Sequence, residues 1–475
     1  MSLRTCVYAI DQLSPGSSES GATSRSSVPS PTPPPSGPFS SLLTRSRRPS
    51  PGPLTPPRAL SQVGTDDAVT NFTDANLYLH FLNHTCKYAP RWHKDRIVLQ
   101  IGIAKLALDS EPVSHSVLAL SAACLCCDTI SHGNADPETV RQILDVGLQH
   151  HTLALEQMRT MTCRPRESDI QPLLANALML VPFALAFQHI QHWVLFAQGS
   201  QDINLLTPRD AILLLRGIRT TIVVLNSNRA DRSDERRNPK SKTPWDINFS
   251  SPITDSSNFT TIPERSHTMF PVLAATFHQA LSQLQCRIES ALATHQADEN
   301  TASAFDAYNI LNDLMSSTFS NSEKIENSLE YVPHFSVAPG SLLAQAPGWL
   351  RNFVLRRPRP TSTEPLARSF LAFFSRASNT YVDLLLPLLD PRTDNVDDEP
   401  ELTTAEVLAL DVYAHWLVLM FLVENEAWWV GDFPVVALQG LIARYGDEFL
   451  GTSSIQEQWW PASMLEVATR LKQWK

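Results

Sequence analysis

From about residue 70 onward, apolar residues recur every three to four positions, the spacing that lines them along one face of a helix. Val140, Ile143, Leu144, Leu148, Leu155 and Met158 fall near one such face. They follow Asp136-Pro137, where the carboxylate caps a helix start and proline takes the first helical position. Thr403-Thr404-Ala405-Glu406 is a capping box, in which hydroxyl and carboxylate each engage a backbone N–H left over at the helix start. The helix it opens runs to about Glu424. The same spacing predicts helices over roughly 70–88, 112–131, 169–197, 208–226, 268–294, 300–316, 364–388 and 455–473. Two-residue alternation, the mark of a half-buried strand, is hard to find. The expectation is an all-α body of about a dozen helices.

The first 65 residues break this pattern. They hold 12 of the 35 Pro, 15 Ser and 5 Gly, and 6 Arg against only Asp11 and Glu19. That composition predicts a disordered Pro/Ser-rich linker over 9–65 and a core-forming body over 66–475. The chain's net charge of −10 divides unevenly: the N-terminal segment carries +4, which leaves −14 for the other 410 residues. Two interior stretches look like loops: 226–266, with its run of mixed charges, and the acidic turn 390–400. Only 16 Gly in 475 residues disfavours Gly-rich phosphate cradles and turn-dense β folds. No apolar run reaches 18 residues; Leu173–Phe187 is broken by Asn176 and Pro182, and Val407–Val423 by Asp411 and His415, so both are expected to be buried core helices. Seven Cys, with Cys124, Cys126 and Cys127 in an apolar run and no signal-type h-region over Met1–Tyr8, predict reduced thiols of an intracellular protein.

Candidate chemistry is sparse. Gly446 and Gly451 have the outer spacing of a nucleotide loop, but Thr452 stands where lysine is needed and Asp447 and Glu448 would repel phosphate. His80 and His84 are four apart with Cys86 close by, so two imidazoles can converge on one ion. No third ligand stands beside them at helical spacing, so the plain expectation is polar residues on a helix flank. Cys124 and Cys127 have no answering pair and are expected to be buried small hydrophobes; His150-His151 and His189/His192 are treated alike. Asp394, Asp397 and Asp398 could mimic the magnesium-binding carboxylates of terpene synthases. Asn312, Asp313 and Ser316 match part of those enzymes' second motif, but Ser320 replaces its acid and the order is reversed. An enzyme is not expected.

Two C-terminal stretches are more specific: Val412-Tyr413-Ala414-His415-Trp416-Leu417-Val418-Leu419 leading to Trp428-Trp429-Val430-Gly431-Asp432, and Trp459-Trp460-Pro461-Ala462-Ser463-Met464 followed by Leu465–Leu471. Together they resemble the C-terminal part of fungal zinc binuclear cluster (Zn2Cys6) transcription factors, in the fungal-specific regulatory domain of the sterol-uptake-control type. Leu77–Thr85 with Trp92 is similar to that domain's opening helix, Val113–Ala122 to its H-x-x-L-A-L-S-A helix, and Leu214-Leu215-Arg216-Gly217-Ile218 to its L-L-R-G segment. Five segments in order span about 70–475.

The resemblance implies a nuclear regulator of RNA polymerase II genes whose body senses an effector and meets coregulators. Arg4-Thr5-Cys6-Val7-Tyr8 looks like the end of the zinc cluster, so 1–8 is expected to be its remnant. Cys6 alone cannot hold a structural zinc. The expectations are therefore no cofactor and no stoichiometric zinc in this chain, no DNA-binding residues of its own, and DNA contact only through the missing cluster. Trp416, Met420, Trp428, Trp429, Trp459 and Trp460 are the candidates to line an apolar effector pocket, each adjacent Trp pair splitting its rings between two sides of a helix. The alternative expectation is a helical interaction or apolar-ligand-binding protein that does not touch DNA.

Overall fold

The computed structural model describes residues 73–86, 96–133, 135–199, 209–227, 267–294, 298–319, 337–354, 366–390, 402–424, 427–450 and 459–473. The expected remnant over 1–8, the linker over 9–65, most of the loop after Ser227, and the acidic turn after Asp390 lie outside these. Among the described residues there are 15 α-helices and no strand. The fold is all-α.

The N-terminal half contains α1 (Asp74–His80), α2 (Ala104–Asp109), α3 (Glu111–Ser131), α4 (Pro137–Cys163) and α5 (Ile170–Ala197). Helix α1 passes directly into a π-helical turn, Phe81–Thr85, and a second π stretch, Val98–Ile103, leads into α2. Then come α6 (Arg209–Ser227), α7 (Phe270–Thr294), α8 (Glu299–Phe319), α9 (Leu342–Gln345) and α10 (Gly348–Val354). The last five are α11 (Leu366–Arg376), α12 (Asn379–Leu389), α13 (Thr404–Met420), α14 (Phe433–Leu450) and α15 (Trp460–Gln473). The expected caps are present: Asp136 accepts from the backbone N–H of Thr139, and Thr403 and Glu406 close a reciprocal box.

Three apolar clusters fill the body. One joins α1, α3, α4 and α5; a second joins α2 and α3 to the start of α5, the end of α6, and α9 and α10. The third and largest is built by α6 to α8 and α11 to α15 with the middle of α5. Helix α5 contributes to all three, which explains its lack of a polar face: a helix covered on every side has no stripe to alternate. Helix α13 is the same case, buried at every position from Leu408 to Met420.

Several boundaries differ from the sequence pattern. The segment expected as one helix over 364–388 is two, because Ser378 turns the chain and caps α12 through the N–H of Tyr381. Asn226 belongs to α6, not to a loop, and accepts from the N–H of Ala338. In α4 the inward stripe leaves Leu148 and Leu155 half-buried and continues through Gly147, His150, His151 and Ala154. Helix α14 is not among the helices expected from the apolar spacing, and Gly446 lies inside it, so no phosphate loop starts there.

Averaged over a window rather than counted as unbroken runs, three helices are long and apolar enough to cross a membrane: Glu111–Ser131, Glu167–Ala197 and Thr404–Val423. Of those windows 61%, 78% and 89% is already buried inside the protein, against its own helices.

Candidate functional site

Helix α13 places one carboxylate in the largest core. Asp411 is 1% exposed, pairs with Arg287 of α7 at 2.7 Å, and accepts from Trp459 Nε1 at 2.9 Å. His415, one turn on, points Nδ1 at both the Asp411 backbone carbonyl (2.8 Å) and its carboxylate (3.2 Å). Burial by itself pushes the Asp411 carboxyl up. The hydrogen bond and charge of His415, then Arg287 and Trp459, outweigh that and hold it below the usual carboxylate range. A second ionic knot closes the end of α15: Lys472 reaches Glu424 at 2.9 Å and Asp432 at 2.6 Å, and Glu424 also faces His267 at 3.4 Å.

Trp459 and Trp460 meet this centre, while Trp416 and Met420 lie further along α13 in the same large apolar cluster. Trp416 donates Nε1 to the Phe370 carbonyl and lies among Phe373, Phe374 and Tyr413. Met420 is fully buried in the same cluster. Trp459 stacks on Phe449 with centroids 4.3 Å apart, and Trp460 stacks on His415 while donating to Thr276 Oγ1 at 3.0 Å. Each of the three tryptophans is thus held by protein partners. The inward stripe of α15 is Trp460, Met464 and Ala468, with Val467 and Leu471 half-buried at its side. Two polar atoms of α13, Tyr413 Oη and His415 Nε2, are buried with no hydrogen-bond partner among the described residues.

Trp428 and Trp429 lie elsewhere. They sit in a turn before α14, not on a helix, so their rings are split by the turn rather than by helical geometry. Trp428 packs into the two N-terminal clusters, and Trp429 into the first of these and the C-terminal one. Gly431 ends the turn with φ +47°, and a Cβ there would meet the His189 ring at 2.9 Å. The Trp-Trp-Val-Gly-Asp turn is therefore a close-fitting join to α5, and its glycine is required on both counts.

The metal-ligand candidates gain the partner that helical spacing did not supply. Asp128, from α3, brings its Oδ2 to 3.4 Å of His80 Nε2, and the ligand atoms of His80, His84 and Asp128 all lie within 4.8 Å of one another. The two imidazoles stack at 4.8 Å with 14° between planes. Cys86, named with them, is wholly buried in the second cluster, and burial pushes its thiol up to about 12.

Several other histidines and thiols are buried or have structural partners. Cys124 and Cys126 are buried, and Cys127 contacts His189 Nε2 at 3.7 Å. His150 shares a hydrogen bond with His115 at 3.0 Å and faces Asp74 at 3.4 Å. His151 stacks on Phe183, and burial pushes it down to about 3. Asp313 pairs with Arg376, and Ser316 with Asn312; Asp394, Asp397, Asp398 and Ser320 lie outside the described residues, as does Cys6. In comparisons with known proteins, no family model, no curated protein and no solved structure matches this chain.

Proposed function

We propose that this chain is the helical regulatory body of a transcription factor of the fungal Zn2Cys6 kind, acting in the nucleus on RNA polymerase II genes and answering to an effector or coregulator. One observation carries the reading: segments that bear the resemblance, far apart in sequence, are tied into one body, directly or through α11 and Asp411. Ser121 of the H-x-x-L-A-L-S-A helix donates to the Leu77 carbonyl of the opening helix at 2.6 Å. Arg216 of the L-L-R-G segment caps the end of α11 through the carbonyls of Phe374 and Ala377. The same helix gives its Phe370 carbonyl to Trp416, and Trp459 bonds Asp411. The residues of the resemblance are thus frame-building residues of one body. The charge of −14 outside the first 65 residues supports a body that leaves DNA to another element, since phosphate binding needs clustered Lys and Arg. The burial of its three long apolar helices favours a body that works in water.

The test is to join the chain to an unrelated DNA-binding module and read a reporter carrying that module's site. A change in transcription supports the proposal, and a folded but inert fusion removes it. The purified chain alone should show no preference for CGG-containing duplexes at fixed salt.

The alternative, an apolar-ligand-binding protein without a transcriptional role, is favoured by the buried Tyr413 hydroxyl and His415 Nε2, polar atoms that a ligand hydroxyl would satisfy. A sterol probe would then quench tryptophan fluorescence and raise the melting temperature in proportion to its concentration.

A further inference from the structure

We infer that His80, His84 and Asp128 bind one divalent metal ion of the zinc class, tying the opening helix to α3. Ser121 Oγ lies 2.6 Å from the Leu77 carbonyl, which can only accept, so the hydroxyl spends its one hydrogen there. Toward His80 Nδ1, at 3.2 Å, Ser121 can therefore only accept, and Nδ1 carries the proton. In the neutral ring Nε2 is then a bare lone pair, and it faces the Asp128 carboxylate at 3.4 Å. Two electron-rich atoms at that distance need a cation between them: a second proton on the ring, or a metal.

The third group points to the metal. His84 stacks beside His80 and offers a nitrogen within 4.8 Å of both other ligand atoms. A proton shared between His80 and Asp128 has no use for this second imidazole, whereas zinc takes imidazole nitrogen and carboxylate oxygen together, at about 2.0–2.2 Å. Ligand atoms around a tetrahedral ion of that size stand about 3.3 Å apart, close to the His80–Asp128 separation. His84 is exposed, so this side of the site faces water.

The backbone and the surroundings fit as well. The π-helical turn starts immediately after His80 and contains His84, and such turns gather at functional sites because they re-aim side chains. The bond from His80 Nδ1 to Ser121 is the outer contact that fixes tautomer and ring orientation in histidine-metal sites; Thr85 Oγ1 adds to it at 3.4 Å. The donor set is two nitrogens and one oxygen, with a fourth position left for water.

This departs from the expectation of a chain without zinc, and it is independent of the transcriptional reading, since the ion would join two helices of the body itself. The experiment is zinc titration of the chelator-treated full chain, followed by the cobalt(II) absorption spectrum. The expected result is one tightly bound equivalent with the visible bands of a nitrogen/oxygen tetrahedral site and no thiolate charge-transfer band. His84→Ala and Asp128→Asn should each weaken it at least tenfold. If Asp128→Asn does not fold, His84→Ala decides, because that side chain is exposed. No zinc binding, unchanged binding in a folded His84→Ala protein, or a thiolate band would each overturn the site.

Discussion

His151 shows what one buried side chain does to the whole stability curve. It is 2% exposed against Phe183, and its folded pKa lies at about 3, below the 6.5 of an exposed imidazole. A depressed histidine is neutral in the folded chain while the unfolded chain takes up a proton. Its contribution is fully present above the unfolded value and is lost as pH falls from 6.5 toward 3. By pH 5 the loss is about 2 kcal/mol, at ~1.4 kcal/mol per unit. Asp411 adds to the loss lower down: its folded pKa is depressed too, so its stabilisation is present above the ordinary carboxylate range and vanishes as pH falls through the folded value. Melting temperature should therefore begin to fall below about pH 6.5, well before carboxylates titrate. His151→Phe, read by melting curves from pH 7 to 4.5, should lessen that upper slope, the rest coming from His189 and His150, which burial also depresses, and leave the carboxylate part in place. An unchanged slope would show that His151 is not the source.

Elements are held by a few irreplaceable contacts rather than by propensity. The turn before α14 depends on Gly431, where alanine would meet both the positive φ and the His189 ring. We expect Gly431→Ala to cost about 2–4 kcal/mol, measured by denaturant unfolding, from the left-handed backbone and the displaced ring together. Helix α15 is the clearer case. Ending the chain at about Ser454 removes Trp459, Trp460 and Met464 from the largest core and takes away a hydrogen-bond partner of Asp411 and the lysine of the Glu424–Asp432 knot. At about 2–3 kcal/mol per large buried side chain, plus a weakened carboxylate cage, the loss is comparable to the 5–15 kcal/mol that keeps a domain folded. The truncated chain should be insoluble or lack a cooperative melt; a soluble, cooperatively melting product would place α15 at the periphery.

At the scale of the molecule, the question is what the first 65 residues do for the body. Residues 9–65 contain 12 prolines and no 3.5-residue apolar repeat, a sequence that offers no coiled-coil seam. Deleting them should leave the mass of the body in solution unchanged by sedimentation. A dimer lost on deletion would refute this. The body itself is organised around α5, which lends a face to each of the three clusters, and around the Trp428-Trp429 turn, which touches all three. A change at either place should therefore be felt in both halves.

Helix class and most helix positions were legible in the order of residues, because apolar spacing, the Asp136 and Thr403 caps and the scarcity of glycine act locally. The frame of the Trp-rich segments was legible only as a resemblance. Which tryptophans share a centre was not: Trp459 and Trp460 meet the Asp411–His415 pair, Trp416 packs against α11, and Trp428 and Trp429 lie in a turn that packs toward α5. Helix α14 was not expected; the helical cost of Gly440 and Gly446 is offset by burial of Phe433, Leu438, Leu441 and Phe449 that no local rule registers. His80 and His84 were visible as a pair, but Asp128 stands 44 positions further on and meets them only because α3 packs across the opening helix. Local spacing thus determined the elements, since a helix is closed by hydrogen bonds four residues apart. The tertiary structure alone decided the centres, since a buried carboxylate or a set of metal ligands is assembled from distant parts of the chain by the packing of apolar faces that carry no record of which polar groups they bring together.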